Sequence, residues 1–598
     1  MKLSSQNQSW LFLLLFIAVS CGSDADSGSQ QAALVFKQTS NTVFARFPAE
    51  PDRLNPILAT SAYARAINEQ IFQNLLHFDP YTLELRPQLA AARPVVREVA
   101  DGKYAGGVGY TFNIREEAVW DDGSPITAED VAFTMKAIFN PLVNAAHVRA
   151  YMEFVSGFET DPSNPRAFTV YTNEKYIIGE PVVSNISVLP KAVYDPSGLL
   201  DDIPFSELAD AEKASRLAKE SKALQAFAEA FNSAPYSREK DFISGSGPYR
   251  FVRWETGQEL VLEKKEGWWG ESIAPNDPLL SAYPQNLSFK IIPDQVASMA
   301  ALKDEQVDVV SQIDAKDFTD LQANEEMTRR FSLQTPPSMV YYYVGLNNKN
   351  PKLADKRVRR AIAHLLDVDE LINTLYYGLA QRTVGPFHPT KPYYHDELPL
   401  IAYNPEKARA LLAEAGWEDT NGNGIVDKVI NGMPTELALE YMISAGSKFA
   451  NNMALIFQDN ARKAGVEITI APKEFTVLTD HAKRRDYDMY AGAWGQDPVV
   501  DDPKQLWHSE SDTPSGGNRV SFNNAEADRL IDEIRETLDE EKRNALYLKF
   551  QELIYEEQPY IFLFAPLERI AISKRFEAKT SARRPGFFVN DFKQKNIQ

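Results

Sequence analysis

Residues 437–470 carry the pattern that most narrows the fold. LALEYM at 437–442 reads as a strand, KFANNMALIFQDNARKA at 448–464 has helical apolar spacing, and VEITI at 466–470 reads as a second strand. Strands joined through a helix run parallel, because an antiparallel pair needs only a short turn, and the crossover is right-handed. The chain is therefore expected to hold a mixed α/β sheet.

The same vocabulary recurs elsewhere. YTFNI at 110–114 reads as a strand, and a helix over 128–139 can be capped by Thr127, with Val131, Met135, Ile138 and Phe139 on one face. Residues 201–231 are rich in Ala, Glu, Lys and Leu and read as helical. One or two helices fill 356–377, where Val358, Ile362 and Leu365 set the period and Gly378 stops it. Asn404-Pro405-Glu406 opens a helix that Gly416 ends. Amphipathic helices follow at 525–538 and 541–557, then the strand IFLF at 561–564. At 598 residues the chain is too long for one core, so two or three domains are expected.

A net charge of −20 leaves no excess of cations to neutralise phosphates and argues against nucleic acid. Its simplest meaning is solubility. Cys21 is the one cysteine, which excludes an intrachain disulfide, a thiolate metal site and CxxC redox chemistry. It follows Lys2 and an apolar run at 11–19 that is too short to span a bilayer. AVSC at 18–21 resembles the lipobox of a bacterial lipoprotein signal, although Ala18 stands where Leu is commonest. The resemblance implies a signal peptide over 1–20, lipidation of Cys21 and a polar tether over 21–36.

Catalytic motifs are missing. There is no GxSxG elbow and no HExxH, and GGVG at 106–109 lacks the P-loop spacing, so the chain is not itself an ATPase. The seven histidines are scattered; His388 and His395, in HPTKPYYH, can touch a metal or simply pack in a loop. DTNGNGIVD at 419–427 places Asp419, Asn421, Asn423 and Asp427 at calcium-loop positions one, three, five and nine. Position twelve is Ile430 rather than Glu, and a Gly/Asn-rich turn explains the same residues. In YYYVGLN at 341–347, strand alternation turns Tyr341 and Tyr343 to one face and Tyr342 to the other, so one face can line a cleft or both can be structural.

AWGQDPVVDDP at 493–503 is a loop, since prolines after Asp497 and Asp502 suit neither helix nor inner strand. Its Trp494 and its carboxylates Asp497, Asp501 and Asp502 fit an acidic surface, a metal site, a catalytic pair or a receptor for a cation.

Several blocks occur in a telling order. YTFNIREEAVWDDGSPITAEDVAFTMKAIF at 110–139 contains Arg115, Trp120, Asp122-Gly123 and Thr127 to Val131. RLNP at 53–56, GSGPYRFVRWETGQELVLEKKEGWW at 245–269, LADKRVRRAIAHLLDVDELI at 353–372 and NPEKARALLAEAGW at 404–417 accompany it. Together they resemble the family 5 extracellular solute-binding proteins of bacterial ABC importers. The resemblance implies an α/β, two-lobed periplasmic-binding-protein fold of the class II, cluster C type, with an extra subdomain in the larger lobe and two hinge crossings. By analogy, lobe 1 takes 37–80, 240–311 and 565–598, the subdomain 81–239 and lobe 2 312–564. The crossings are then expected near 310–314 and 560–565.

The family resemblance also implies a binding protein, not an enzyme, with no cofactor, acting as a monomer at the cell envelope. A peptide would be captured between closing lobes and passed to permease and ATPase subunits, with the membrane reached through lipidated Cys21. Peptide-binding members carry Trp-x-x-Asp, matched by Trp494 and Asp497, with Asp497 as receptor for the ligand's amine. Tyr343, Asn347 and Tyr63 are further ligand candidates, while Asp501 and Asp502 revert to solvated or turn-forming residues. Pro498 departs from the Tyr-x-x-Pro continuation common in peptide binders. A nickel chelate, haem or an oligosaccharide on the same fold, and a secreted hydrolase using Asp497 with Asp501, are the alternatives.

Overall fold

The structure is a computed structural model and describes residues 36–596; the signal segment, Cys21 and nearly all of the tether lie outside the described residues. Among the described residues no helix is long and apolar enough to cross a membrane.

The chain builds three principal sheets. A seven-stranded sheet runs in the order Phe331–Gln334, Ile570–Ser573, Val309–Val310, Thr42–Phe47, Asn286–Ile291, Glu259–Lys264 and Tyr249–Glu255. Thr42–Phe47 pairs in parallel with Asn286–Ile291 and Val309–Val310. Arg575, 1% exposed, ties the last part of the chain to this first strand: its guanidinium holds Asp308 through two 2.6 Å bonds and donates to the Ser40 carbonyl at 2.7 Å. A four-stranded antiparallel sheet, Val95–Glu98, Val108–Asn113, Asn164–Thr172 and Val155–Asp161, shares one continuous hydrophobic core with the large sheet.

The second lobe is a five-stranded sheet ordered Glu467–Lys473, Ala438–Ser444, Met489–Gly495, Val340–Leu346 and Tyr560–Phe562. The strand–helix–strand unit read from the sequence is present, with Ala438–Ser444 and Glu467–Lys473 parallel and joined by the helix Lys448–Arg462. Ser447 caps that helix by accepting from Ala450 N–H at 3.2 Å, and Met453, Ala454, Phe457 and Ala461 bury one face. Burying a side chain the size of Phe457 is worth roughly 1.5–3 kcal/mol. Separate apolar clusters cover the two faces of the sheet.

The TAEDV block proves to be a joint. The Asp130 carboxylate accepts from Thr127 N–H at 3.0 Å, Trp120 Nε1 at 3.3 Å and Lys191 N–H at 3.1 Å. It thereby fixes the start of the helix Ala128–Phe139 against two neighbouring segments.

The crossings differ from the expected positions. Phe331–Gln334 pairs with Ile570–Ser573, so the chain stays with the large sheet some twenty residues past 310–314. Phe564–Pro566 pairs with Ala380–Arg382, which keeps 565 and 566 with the second lobe. The passages are 335–339 and 567–569, and they run side by side. Ser338 N–H donates to the Pro566 carbonyl at 3.1 Å, and Glu568 N–H donates to the Pro336 carbonyl at 2.8 Å. Sheet membership is decided by long-range pairing, which local sequence does not display.

Candidate functional site

The strand Met489–Gly495 delivers the loop. It pairs antiparallel with Val340–Leu346, setting Trp494 opposite Tyr341. Gln496 N–H makes a last bond to the Met339 carbonyl at 2.7 Å, and the chain then leaves the sheet. Pro498 and Pro503 keep residues 498–503 from rejoining it.

A second loop, HPTKPYYH at 388–395, clamps the first. The Lys391 ammonium, with a side chain 3% exposed, donates to the carbonyls of Asp497 and Val499, each at 2.6 Å, and lies 3.1 Å from the Asp501 carboxylate. Tyr393 hydroxyl donates to Asp501 Oδ2 at 2.7 Å, and Gln496 Nε2 donates to Asp501 Oδ1 at 3.1 Å. Tyr547 hydroxyl closes the cage on the Asp501 carbonyl. Burial raises the Asp501 pKa above the ordinary carboxylate range, with Lys391 acting against that rise.

Asp502 points the other way. Its Oδ2 accepts from Tyr176 hydroxyl at 2.6 Å and Arg535 Nε at 3.0 Å. The expectation that Asp501 and Asp502 are solvated is not met, since both carboxylates are engaged in charge-paired contacts; Asp502 is nevertheless turn-forming, its Oδ1 accepting from Lys504 N–H at 2.9 Å. The same cage removes Asp501 from any catalytic pairing with Asp497.

Asp497 is the exception in the loop. It is exposed, and among the described residues its carboxylate has no hydrogen bond or ion pair. Trp494 is half-buried, its Nε1 donating to Tyr560 hydroxyl at 3.3 Å. The Arg519 guanidinium lies 5.5 Å from the Trp494 ring centroid. Among the described residues that guanidinium meets no carboxylate, and its Nε is buried without an acceptor. Among the described residues, the Asp497 carboxylate and the Arg519 guanidinium are thus both without a charged partner.

The other candidates fall elsewhere. Tyr343 is 2% exposed, stacked on Tyr560 with centroids 4.0 Å apart, and its hydroxyl meets that of Tyr490 at 3.0 Å. The alternation of Tyr341 and Tyr343 against Tyr342 is present, but both faces pack into cores rather than a cleft. Asn347 is a buried brace whose Nδ2 donates to the carbonyls of Arg485 at 3.1 Å and Tyr487 at 2.8 Å. Tyr63 lies in the first lobe, in the first turn of the helix Ala62–Ile71, with its ring 5.2 Å from Phe47. Burial raises its hydroxyl pKa, and no contact joins it to Trp494 or Asp497.

The metal candidates are spent on local bonds. Asp419 accepts from the backbone N–H groups of Gly422, Asn423 and Gly424. Asp427 turns inward to Thr420, while Asn421 and Asn423 reach Glu436. This is the turn reading of that segment. His388 contacts Thr390 Oγ1 at 2.8 Å, and His395 faces Glu552 at 3.3 Å. Among the described residues no group of three His, Cys, Asp or Glu side chains is placed to hold a metal ion.

Sequence reasoning missed Lys391, Tyr393, Tyr547, Tyr176, Arg535 and Arg519. A lysine between Thr390 and Pro392 was the one local sign that HPTKPYYH does more than fill a loop.

The model of the bacterial extracellular solute-binding proteins, family 5, matches residues 84–517. The chain belongs to that family. It is 25% identical to the oligopeptide-binding protein AppA of Bacillus subtilis, over 95% of this chain and 94% of the relative. It is 23% identical to the heme-binding protein A of Haemophilus influenzae, over 92% and 93%. The structure of Bacillus subtilis AppA in complex with a nonapeptide superposes with a TM-score of 0.65 at 23% identity, covering 94% of this chain and all of that one. NikZ from Campylobacter jejuni in complex with Ni(L-His) gives 0.66 at 22% identity, covering 93% and all of its chain. The family 5 chain is thus a two-lobed solute-binding protein of the ABC-importer type, and not an enzyme. The hydrolase alternative is set aside on that ground.

Proposed function

We propose that this family 5 protein captures peptides with a free amino terminus between its lobes and hands them to an ABC permease. One observation carries the reading: Asp497 holds an exposed, unpaired carboxylate on a backbone that buried Lys391 pins in place. A carboxylate so fixed binds an ammonium without first breaking an ion pair, and closure strengthens the attraction by excluding water. Arg519, with no anion of its own, is the cation for a ligand carboxylate. Relatives named for oligopeptide and dipeptide binding support the peptide class. Lipidated Cys21 holds the monomeric protein at the envelope, near permease and ATPase subunits.

Calorimetry with an unblocked peptide mixture tests this. Binding that disappears on amine acetylation supports it, and equal binding of acetylated and free peptides defeats it.

A second reading keeps the fold and replaces the ligand with a metal chelate, haem or an oligosaccharide. The nickel- and heme-named relatives favour the first two. A native mass spectrum of the purified protein that retains such a solute would select it.

A further inference from the structure

The two lobes also touch outside the two passages that join them. The segment that follows the strand Asn164–Thr172 leaves the four-stranded sheet and packs on the second lobe. Tyr176 hydroxyl donates to Asp502 Oδ2 at 2.6 Å. Arg535 Nε donates to the same oxygen at 3.0 Å, and its guanidinium lies 4.9 Å from the Tyr176 ring centroid. Ile177 N–H donates to the Arg535 carbonyl at 3.0 Å, and the Ile177 side chain, 6% exposed, joins the apolar cluster of Tyr341, Trp507 and Tyr547.

We propose that Tyr176, Asp502 and Arg535 form a catch that holds the two lobes in the arrangement this structure shows. The lobes are joined covalently only at 335–339 and 567–569, a narrow ribbon in which the passages bond to each other. A ribbon of that kind bends at low cost, so the relative position of the lobes is set by contacts made elsewhere. The catch is such a contact. A contact made in this arrangement and lost when the lobes part shifts the balance toward this arrangement.

The chemistry suits a reversible fastener. The tyrosine hydroxyl meets a carboxylate, which makes a stronger bond than a neutral pair, while both partners are readily rehydrated on opening. Arg535 keeps Asp502 from standing alone when Tyr176 departs. Asp502 lies on the loop that presents Asp497, so the catch acts on the strand exit that carries the proposed ligand anchor. The inference rests on movement of the lobes and not on which solute they enclose.

Small-angle X-ray scattering of the ligand-free full chain, fitted to populations of this arrangement and of one with the lobes parted, tests it. Tyr176→Phe removes the hydroxyl and keeps the ring, and Asp502→Asn removes the charge. The expected result is a ratio of this arrangement to the parted one lowered about tenfold by each, from the loss of one charge-assisted bond, with the double variant no lower than about the worse single one. Hydrogen exchange at Ile177 N–H should quicken by a similar factor. A ratio unchanged in both variants overturns the proposal, as does a fall in unfolding midpoint with no change in ratio, which marks a static seam. No ligand is added, so failure here leaves the peptide reading standing, and failure of the peptide reading leaves the catch.

Discussion

Lys391 and Asp497 are joined through the main chain, not through their charges: the ammonium donates to the Asp497 carbonyl at 2.6 Å while the Asp497 carboxylate stays exposed. The same nitrogen serves Val499 and Asp501, so its hydration shell is replaced by three oxygens of one loop. A buried cation is thereby used to fix a backbone, and the neighbouring anion is left available.

Replacing Lys391 by Met should destabilise the protein by about 3–5 kcal/mol, because Asp501 is left as a largely enclosed carboxylate without its cation. Lys391→Met with Asp501→Asn should recover a large part of the loss, since the uncompensated charge is gone. Urea unfolding of the two variants and the double variant measures this. Additive losses in the double variant would show that the two groups are not coupled.

His388 gives the site a pH dependence. It is 1% exposed, and burial, aided by the Lys391 cation, pulls its pKa down to about 4. The unfolded side chain titrates near 6.5. Between these values the unfolded state binds a proton that the native state refuses. The stabilisation is therefore complete above about pH 6.5 and lost as pH falls toward 4, to the extent of about 3 kcal/mol. His388→Asn keeps an acceptor for Thr390 N–H, which His388 Nδ1 accepts at 3.2 Å, and should lose about that much less stability between pH 7 and pH 4. An NMR titration placing His388 near 6.5 would contradict the account.

Arg519→Gln separates folding from binding. Its visible role in the ligand-free protein is the contact with Trp494, so the variant should unfold within about 1 kcal/mol of the parent. Affinity for a peptide with a free carboxyl terminus should fall roughly 10- to 100-fold, and amidating that terminus should reproduce the loss in the parent protein. Calorimetry on the four combinations decides; an unchanged affinity for the free peptide removes Arg519 from the site.

How far the sequence could be read depended on the range of the forces involved. The unit around 437–470, the helix opened by Asn404-Pro405 and the Trp-x-x-Asp loop were legible because spacing, capping and proline exclusion act over a few residues. That Tyr343 and Asn347 are buried was not legible, because alternation tells which face a side chain takes, not what covers that face. The crossings were misplaced because the strand Phe331–Gln334 is held by residues some 240 positions away. Asp501 and Asp502 looked identical in sequence, and only their remote partners Lys391, Tyr393, Tyr176 and Arg535 set them apart.

Asp497 can be tested against its own neighbours. Asp497→Asn keeps size and leaves the Lys391 bond, which is made to the main chain, so the fold should hold with its unfolding midpoint within about a degree or two, as for an exposed substitution. Only the charge offered to the ligand is lost. A charge-assisted bond is worth about 1.5–3 kcal/mol, so affinity for an unblocked peptide should fall about 10- to 150-fold. Acetylating the peptide's amine should weaken binding to the parent by a similar factor and change binding to the variant little, because the partners act as one unit in the cycle. The same cycle run with Asp501→Asn should behave oppositely, with folding weakened through loss of the Lys391 pair and no special sensitivity to the amine. If Asp497→Asn and the parent bind free and acetylated peptides alike, the exposed carboxylate is surface charge, and the amine must be received elsewhere in the cleft.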